Sequence, residues 1–330
     1  VLGWTYDDNS RLVSETDPNG NVTRYEYDPL DRVVRVLYAD GTARTSQYDS
    51  RFNQTTATDP NGNVVQYAHD ALNRVVAVDV IPGPGVSSET TEETYVYDGL
   101  SRLVRAEDDD SVAARSYDSL SNVLRDQING LGVTGTFDGE SNRLESILPG
   151  GRSIAYTHDP LGRVETVSSG SESIATYAYG GVLRVEQVDL GNGIRNALEY
   201  DDARRVTRLT HQPAAGGDAI VDYSYTWDAE DNRTLRNSLL PGGASQSFQY
   251  DSLNRLVRSI VDLSSGSPVV VNYDLDDAGN RVAVDGGADA GAYVLSPDAP
   301  APLDAPVNQY TSTPAGDRAY DANGNLVNAD

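Results

Sequence analysis

The chain has 330 residues, 38% of them hydrophobic and 23% charged, which is the composition of a folded protein with room for two ordinary domains or one long repeat array. Its net charge of −25 argues against nucleic acid or an anionic membrane as a partner and against membrane insertion. Cysteine and lysine are absent, so disulfides and lysine isopeptide links are excluded; no apolar run reaches the length of a membrane span, and no signal peptide is evident.

In chain order, an aromatic-Asp pair recurs. It stands at Tyr6-Asp7, Tyr27-Asp28, Tyr48-Asp49, His69-Asp70, Tyr97-Asp98, Tyr117-Asp118 and Phe137-Asp138. It continues at His158-Asp159, Tyr179-Gly180, Tyr200-Asp201, Trp227-Asp228, Tyr250-Asp251, Leu275-Asp276 and Tyr320-Asp321. The commonest spacing is 21 residues, and the last stretches to 45, a gap with room for one degenerate unit around Tyr293. Four residues after each Asp slot stands Arg (Arg11, Arg32, Arg74, Arg102, Arg163, Arg184, Arg205, Arg255) or Asn (Asn53, Asn122, Asn142, Asn232, Asn280, Asn325). Fourteen coincidences out of fourteen define a structural unit.

Each unit reads as a β-hairpin. Thr23-Arg24-Tyr25-Glu26-Tyr27 alternates as a strand with Thr23, Tyr25 and Tyr27 on one face. Asp28-Pro29-Leu30-Asp31 reads as a tight turn: Asp accepts backbone N–H bonds and Pro presets φ. The β-branched run from Arg32 to Leu37 is the second strand, and a glycine turn such as Asn19-Gly20 or Asp40-Gly41 sends the chain back. A set of 20 Tyr with 3 Phe, 2 Trp and no Met suits such half-wet pleated surfaces. Insertions at Pro82 to Gly85, Pro213 to Gly217, Pro241 to Gly243 and Ser264 to Pro268 read as lengthened loops. The expected architecture is all-β, about 14 hairpin units of about 21 residues: 13 units over 1–284, an Ala/Asp/Pro-rich linker or degenerate repeat over 285–310, and a final unit over 311–330.

The pattern Y-x-Y-D-x-x-x-R-(L/V)-V, best seen from Tyr25, Tyr95 and Phe248, resembles the YD repeat of the Rhs family, whose relatives include teneurins and shell components of bacterial toxin complexes. The variant Tyr320-Asp321-Ala322-Asn323-Gly324-Asn325 is similar to another form of that repeat. The resemblance implies a strip of hairpins wound into a spiral hollow shell or tube. Physics points the same way, since roughly 28 strands far exceed the ~10 that a twisted open sheet tolerates. Rhs proteins with a toxin cargo end the shell in a core segment with an Asp-based self-cleavage motif around D-P-x-G. Here Asp17-Pro18-Asn19-Gly20 and Asp59-Pro60-Asn61-Gly62 lie between repeats as turns, so self-cleavage and cargo toxicity do not carry over.

No residue stands out as catalytic. His69 and His158 fill the aromatic slot, and His211 has no visible partner for a triad or a zinc site. Asp108, Asp109 and Asp110 are weak calcium candidates, as are the turns Asp17 to Asn21 and Asp59 to Asn63; no other cofactor is expected. Asn21, Asn53 and Asn232 sit in N-x-T sequons that chance explains. The Arg/Asn slot reads as a structural ladder, with Arg stems over aromatic faces and guanidinium groups paired with Asp of the same or a neighbouring unit. Asn can cap its turn or take a positive φ.

The function expected is that of a non-enzymatic secreted or cell-surface structural protein. Without evident polar caps, each end presents an open strand edge, so head-to-tail self-assembly into a filament or tube, or adhesion, follows. The alternatives are the wall of a toxin-encapsulating cocoon and a glycan-binding adhesin using Tyr, Trp4 and Trp227.

Overall fold

The computed structural model describes residues 2–87, 91–263, 265–295 and 308–329. Every regular element among them is a β-strand. The strands fall into two compact units, Val1–Ser111 with Val271–Asp330, and Val112–Val270. The first unit holds ten consecutive antiparallel strands, from Gly3–Tyr6 to Leu103–Asp108, together with hairpins built from Arg281–Asp285, Gly291–Ala292 and the strands between Ser312 and Ala329. The second holds fourteen, from Val112–Tyr117 to Leu256–Asp262, each antiparallel to the next.

One hairpin explains the rest. Strand Val22–Tyr27 pairs with Val33–Leu37 as Arg24↔Leu37, Tyr25↔Val36 and Glu26↔Arg35; then the register slips, and Tyr27 faces Val33. The slip is a β-bulge that leaves Val34 without a partner. The same slip occurs at the slot aromatic of other units, among them Tyr6, Tyr48, His69, Phe137, Trp227 and Tyr320. Its cause is the turn. The Asp28 amide donates to the Arg32 carbonyl at 3.0 Å, and the Asp31 amide to the Asp28 carbonyl at 3.1 Å. This is a three-residue connection, a type I turn followed by a left-handed residue. Asp31 is that residue, with φ of 63°; Ser10, Phe52, Asn73 and Asn254 take the place in other units. The left-handed position is therefore the residue before the Arg/Asn slot, not the slot Asn itself.

Few side chains are buried. The buried apolar residues among those described are Ala57, Val78, Ile154, Ala175 and Val284. The accessible surface is 19197 Å². A chain of 35.4 kDa ordinarily exposes roughly 13,000 Å². Stability must come from ladders and side-chain bonds between strands more than from a dry core.

Of the segment expected as a linker or degenerate repeat, residues 296–307 lie outside those described. On either side, Gly291–Ala292 pairs with Arg281–Asp285, Val294 bridges Ser312, and the rings of Tyr293 and Tyr310 meet edge to face at 5.5 Å.

Candidate functional site: turn clasps and a seam between turns

Each YD turn that keeps its slot Asp is closed by that carboxylate. Asp28 Oδ1 accepts the amides of Leu30 at 2.9 Å and Arg32 at 3.1 Å, while Oδ2 accepts Arg32 Nε at 2.7 Å and Nη2 at 2.6 Å. Arg11, Arg74, Arg102, Arg163, Arg205 and Arg255 hold Asp7, Asp70, Asp98, Asp159, Asp201 and Asp251 in the same way. Where the slot is Asn, its Nδ2 replaces the guanidinium: Asn53 reaches Asp49 Oδ2 at 2.9 Å, and Asn325 reaches Asp321 Oδ2 at 2.9 Å. The Arg32 guanidinium holds the Asp28 carboxyl below the usual carboxylate range; the amides of Arg32 and Leu30 add to this, and burial opposes it. At Asp7 the Arg11 amide has the largest influence.

The clasp also binds the next repeat. Arg32 Nη1 donates to the Asp49 carbonyl at 2.8 Å, and its guanidinium lies 4.7 Å from the Tyr48 ring centre. Arg11 stands over Tyr27, Arg74 over Tyr97 and Arg163 over Tyr179. The slot phenol closes the contact. Strands Val33–Leu37 and Ala43–Tyr48 pair only from Arg35↔Thr45 to Leu37↔Ala43, which leaves the Val33 carbonyl outside the ladder. Tyr48 Oη donates to it at 3.0 Å. Tyr27 does the same for Leu12, Tyr97 for Val75 and Tyr250 for Arg233, and Trp227 Nε1 serves Val206. A carbonyl left open by the bulge needs a donor at the far end of a ring, which is why the slot selects Tyr over Phe.

In the first unit, two glycine-end turns carry the same clasp. Asn21 caps Asp17 and Asn63 caps Asp59, each through its amide and its Nδ2. Both turns meet YD turns about 260 residues away. Asn61 Nδ2 donates to Asp321 Oδ2 at 2.9 Å and Asn323 Nδ2 to Asp59 Oδ2 at 2.6 Å, while each backbone amide donates to the other's side-chain oxygen. Likewise Asn19 Nδ2 reaches Asp276 Oδ2 at 2.8 Å, and Asn308 Nδ2 reaches Asp17 Oδ2 at 3.0 Å. Burial is the largest single influence on Asp321 and raises its pKa, yet the bonds from Asn325, Asn61 and Asn323 outweigh it and leave the carboxyl below its ordinary value. These contacts make a reciprocal seam, with the YD end of one stretch of array set on the glycine end of another.

The RHS Repeat family model matches residues 6–43 and 48–80, and those boundaries follow the hairpin units just described. Those two segments of the chain are similar to RHS repeats. No curated protein matches it in sequence. The chain is similar in fold to the Photorhabdus luminescens Tc holotoxin pore, with a TM-score of 0.78, 14% identity, and coverage of 98% of this chain and 20% of that one. It is similar to TcdB2-TccC3 with Cdc42, with a TM-score of 0.80, 14% identity, and coverage of 98% and 20%. It is also similar to TcdB2-TccC3 solved without its hypervariable C-terminal region, again with a TM-score of 0.80, 14% identity and the same coverage. The chain thus spans about one-fifth of the length of the solved chains it matches.

The remaining sequence-predicted positions fall within the hairpins. Asp108 caps its own turn through the amides of Asp110 and Ser111, and Asp109 accepts the amides of Thr91 and Glu92. Their oxygens face backbone donors, and no group of three or more acid or histidine side chains among the described residues is placed to hold a metal. The sequon residues Asn21, Asn53 and Asn232 are all clasp residues. Gly180, the slot without Asp, has the Glu186 carboxylate where its own Cβ would project. Sequence reasoning missed the seam, although the identical Asp-Pro-Asn-Gly-Asn turns at 17–21 and 59–63, and their echo at 321–325, were its signal.

Proposed function

We propose that this chain is a non-enzymatic wall segment of a hollow YD-repeat shell, closed where one winding of the array is clasped to another. The seam carries this reading. The turns of Asn61 and Asn323 exchange four hydrogen bonds, two between these residues and one from each to the other turn's Asp, across some 260 residues of sequence, as contact between windings requires. The likeness to the Tc holotoxin pore supports placing such a wall in a toxin complex. No chemistry is assigned to it: the clasp carboxylates are occupied by their own turns, and two of the three histidines replace slot tyrosines.

Hydrogen exchange on the protein carrying Asn61→Asp with Asn323→Asp tests the seam. The pair of substitutions sets new carboxylates against Asp321 and Asp59. Amides of 59–63 and 321–325 should lose protection, while the turns at Asp28 and Asp98 keep theirs. Unchanged protection at 321–325 would overturn the reading. Electron micrographs of the longest form of the protein should show closed hollow particles, and extended arms would equally reject it.

A second reading is end-to-end self-association into a filament, or adhesion. It draws on the exposed Trp4 and Tyr6 of strand Gly3–Tyr6. A monodisperse monomer by light scattering at high concentration excludes it.

A further inference from the structure

One hairpin of the second unit departs from the repeat on its aromatic face. At each bulge the slot aromatic faces the residue five places after the turn Asp, and the residue two places before the aromatic faces the one eight places after. The extra bulge residue puts those two, three apart in sequence, on the same face. In other units of this region both are aliphatic: Val164 and Val167 face His158 and Tyr156, and Val206 and Leu209 face Tyr200 and Leu198. In strand Arg233–Ser238 both are arginine, Arg233 facing Trp227 and Arg236 facing Tyr225. Arg143 and Arg281 take the first place elsewhere, but Ser146 and Val284 then take the second, so this is the one unit with arginine at both.

Neither guanidinium has an anion. Among the described residues, Arg233 and Arg236 side chains have no hydrogen-bond or carboxylate partner, and the Nε of each is buried without an acceptor. A chain with 50 acids and 25 arginines has no shortage of carboxylates to supply one. What surrounds the pair instead is aromatic. Arg233 lies 4.8 Å from the Phe248 ring centre and 5.9 Å from that of Tyr225, and Arg236 lies 5.2 Å from that of Tyr223. A ring face holds a cation but leaves its in-plane N–H fork open, and that fork matches the two oxygens of a carboxylate. Buried donors of this kind ordinarily have an acceptor. Arg258 shares the unpaired Nε but faces Gln249, on the opposite side of the sheet.

Arg233 opens into a cleft of about 380 Å³ with Leu198, Leu209, Tyr225 and Trp227, a volume within the ~300–1,000 Å³ of small-molecule sites. Arg205, also in its wall, is already committed to Asp201 and to the Asp228 carbonyl. We propose that this cleft binds a small organic monoanion, a carboxylate on a flat apolar body. Its oxygens take the open N–H groups of Arg233 and Arg236, and its body lies against Leu198, Leu209 and the Tyr225 ring. A net charge of −25 disfavours ligands of higher negative charge. This inference goes beyond the wall reading and rests on the second unit alone.

Titration calorimetry of the full chain with 2-naphthoate tests it. Saturable binding to a single site is expected, weakening as NaCl rises. The uncharged 2-naphthalenemethanol, which lacks the carboxylate, and acetate, which lacks the rings, should each bind about tenfold more weakly or worse. Arg233→Met with Arg236→Met keeps the unbranched stems and should weaken 2-naphthoate about tenfold or more with the denaturation midpoint held. Arg258→Met should leave the affinity unchanged. If the paired variant loses its fold, the comparison of the three ligands on the unaltered chain decides. The inference is overturned if 2-naphthoate shows no saturable binding up to about 10 mM, if 2-naphthalenemethanol binds equally well, or if the folded paired variant binds like the parent. None of these outcomes bears on the hydrogen-exchange test of the seam, which reads turns of the first unit.

Discussion

At the YD end of the hairpins, turn after turn keeps three residues between the Asp and its clasp, whereas the glycine end runs from two residues at Asn129-Gly130 to a long loop after Ile81. The difference follows from what each turn must hold. A carboxylate that bonds the amides two and four places on cannot accept an insertion, and its clasp also reaches the next repeat, as Arg32 does with Asp49. Most glycine turns carry no such bond. The exceptions at Asp17 and Asp59, where another stretch of array docks, have the clasp again. Regularity tracks contact with neighbours.

The largest test of this contrast is an insertion. Two residues, Gly-Ser, placed between Leu30 and Asp31 should lower the urea midpoint at least three times as far as the same pair placed between Gly85 and Val86, where doubling a loop costs only ~0.6 kcal/mol. Equal losses would erase the distinction between the two ends. Next in size is Gly324→Ala. Its φ is +83°, and a Cβ would lie 2.6 Å from Gln309 Nε2, so a loss of about 1–2 kcal/mol is expected. Gly85→Ala has a comparable φ of +80° with open space around it and should cost less; the gap between the two isolates the docked turn. Tyr48→Phe leaves the Val33 carbonyl without its donor and should cost about 1 kcal/mol in chemical denaturation. Tyr67→Phe, outside the slot, should stay within ~0.5 kcal/mol.

Acid should act on the clasped end. The Asp28 and Asp70 carboxyls are depressed in the folded state, chiefly by the guanidinium groups of Arg32 and Arg74. Their stabilisation is therefore fully present above the unfolded carboxylate value of about 3.9 and is lost as pH falls through the lower folded values. Asp28→Asn should flatten the fall of the denaturation midpoint below about pH 4. An unchanged slope would show that this clasp contributes nothing to acid lability. The smallest effect is expected at Gly180→Asp, which supplies the missing slot carboxylate but must displace exposed Glu186. The midpoint should rise slightly, and further when Glu186→Ala clears the space.

The hairpin and its clasp were legible in the sequence because both are local. Backbone bonds within one turn fix Asp28 to Arg32 whatever happens elsewhere, so a spacing of four survives every loop insertion. The Arg-to-next-Tyr contact was obscured because glycine loops of unequal length separate the partners. A trace of it is nevertheless in the sequence. Arg11, Arg32, Arg74, Arg102, Arg163 and Arg184 are each followed by a Tyr slot, and Arg205 and Arg255 by Trp227 and Leu275; Asn53 and Asn142 precede His69 and His158, Asn122 precedes Phe137, and Asn232 and Asn280 precede Tyr250 and Tyr320. The seam was illegible for a different reason. Asn61 and Asn323 stand 262 residues apart, and no local motif encodes which distant turns meet.

A strip whose strength lies in bonds between neighbours, with little buried behind them, also has a mechanical character. Pulled from its ends, it should unzip stitch by stitch at nearly constant low force, because each hairpin is lashed only to the next. The Asn61–Asn323 docking changes this arithmetic. It ties two distant rows side by side, so a load on either is shared until that knot slips, and the force trace should open with one high peak before the even sawtooth begins.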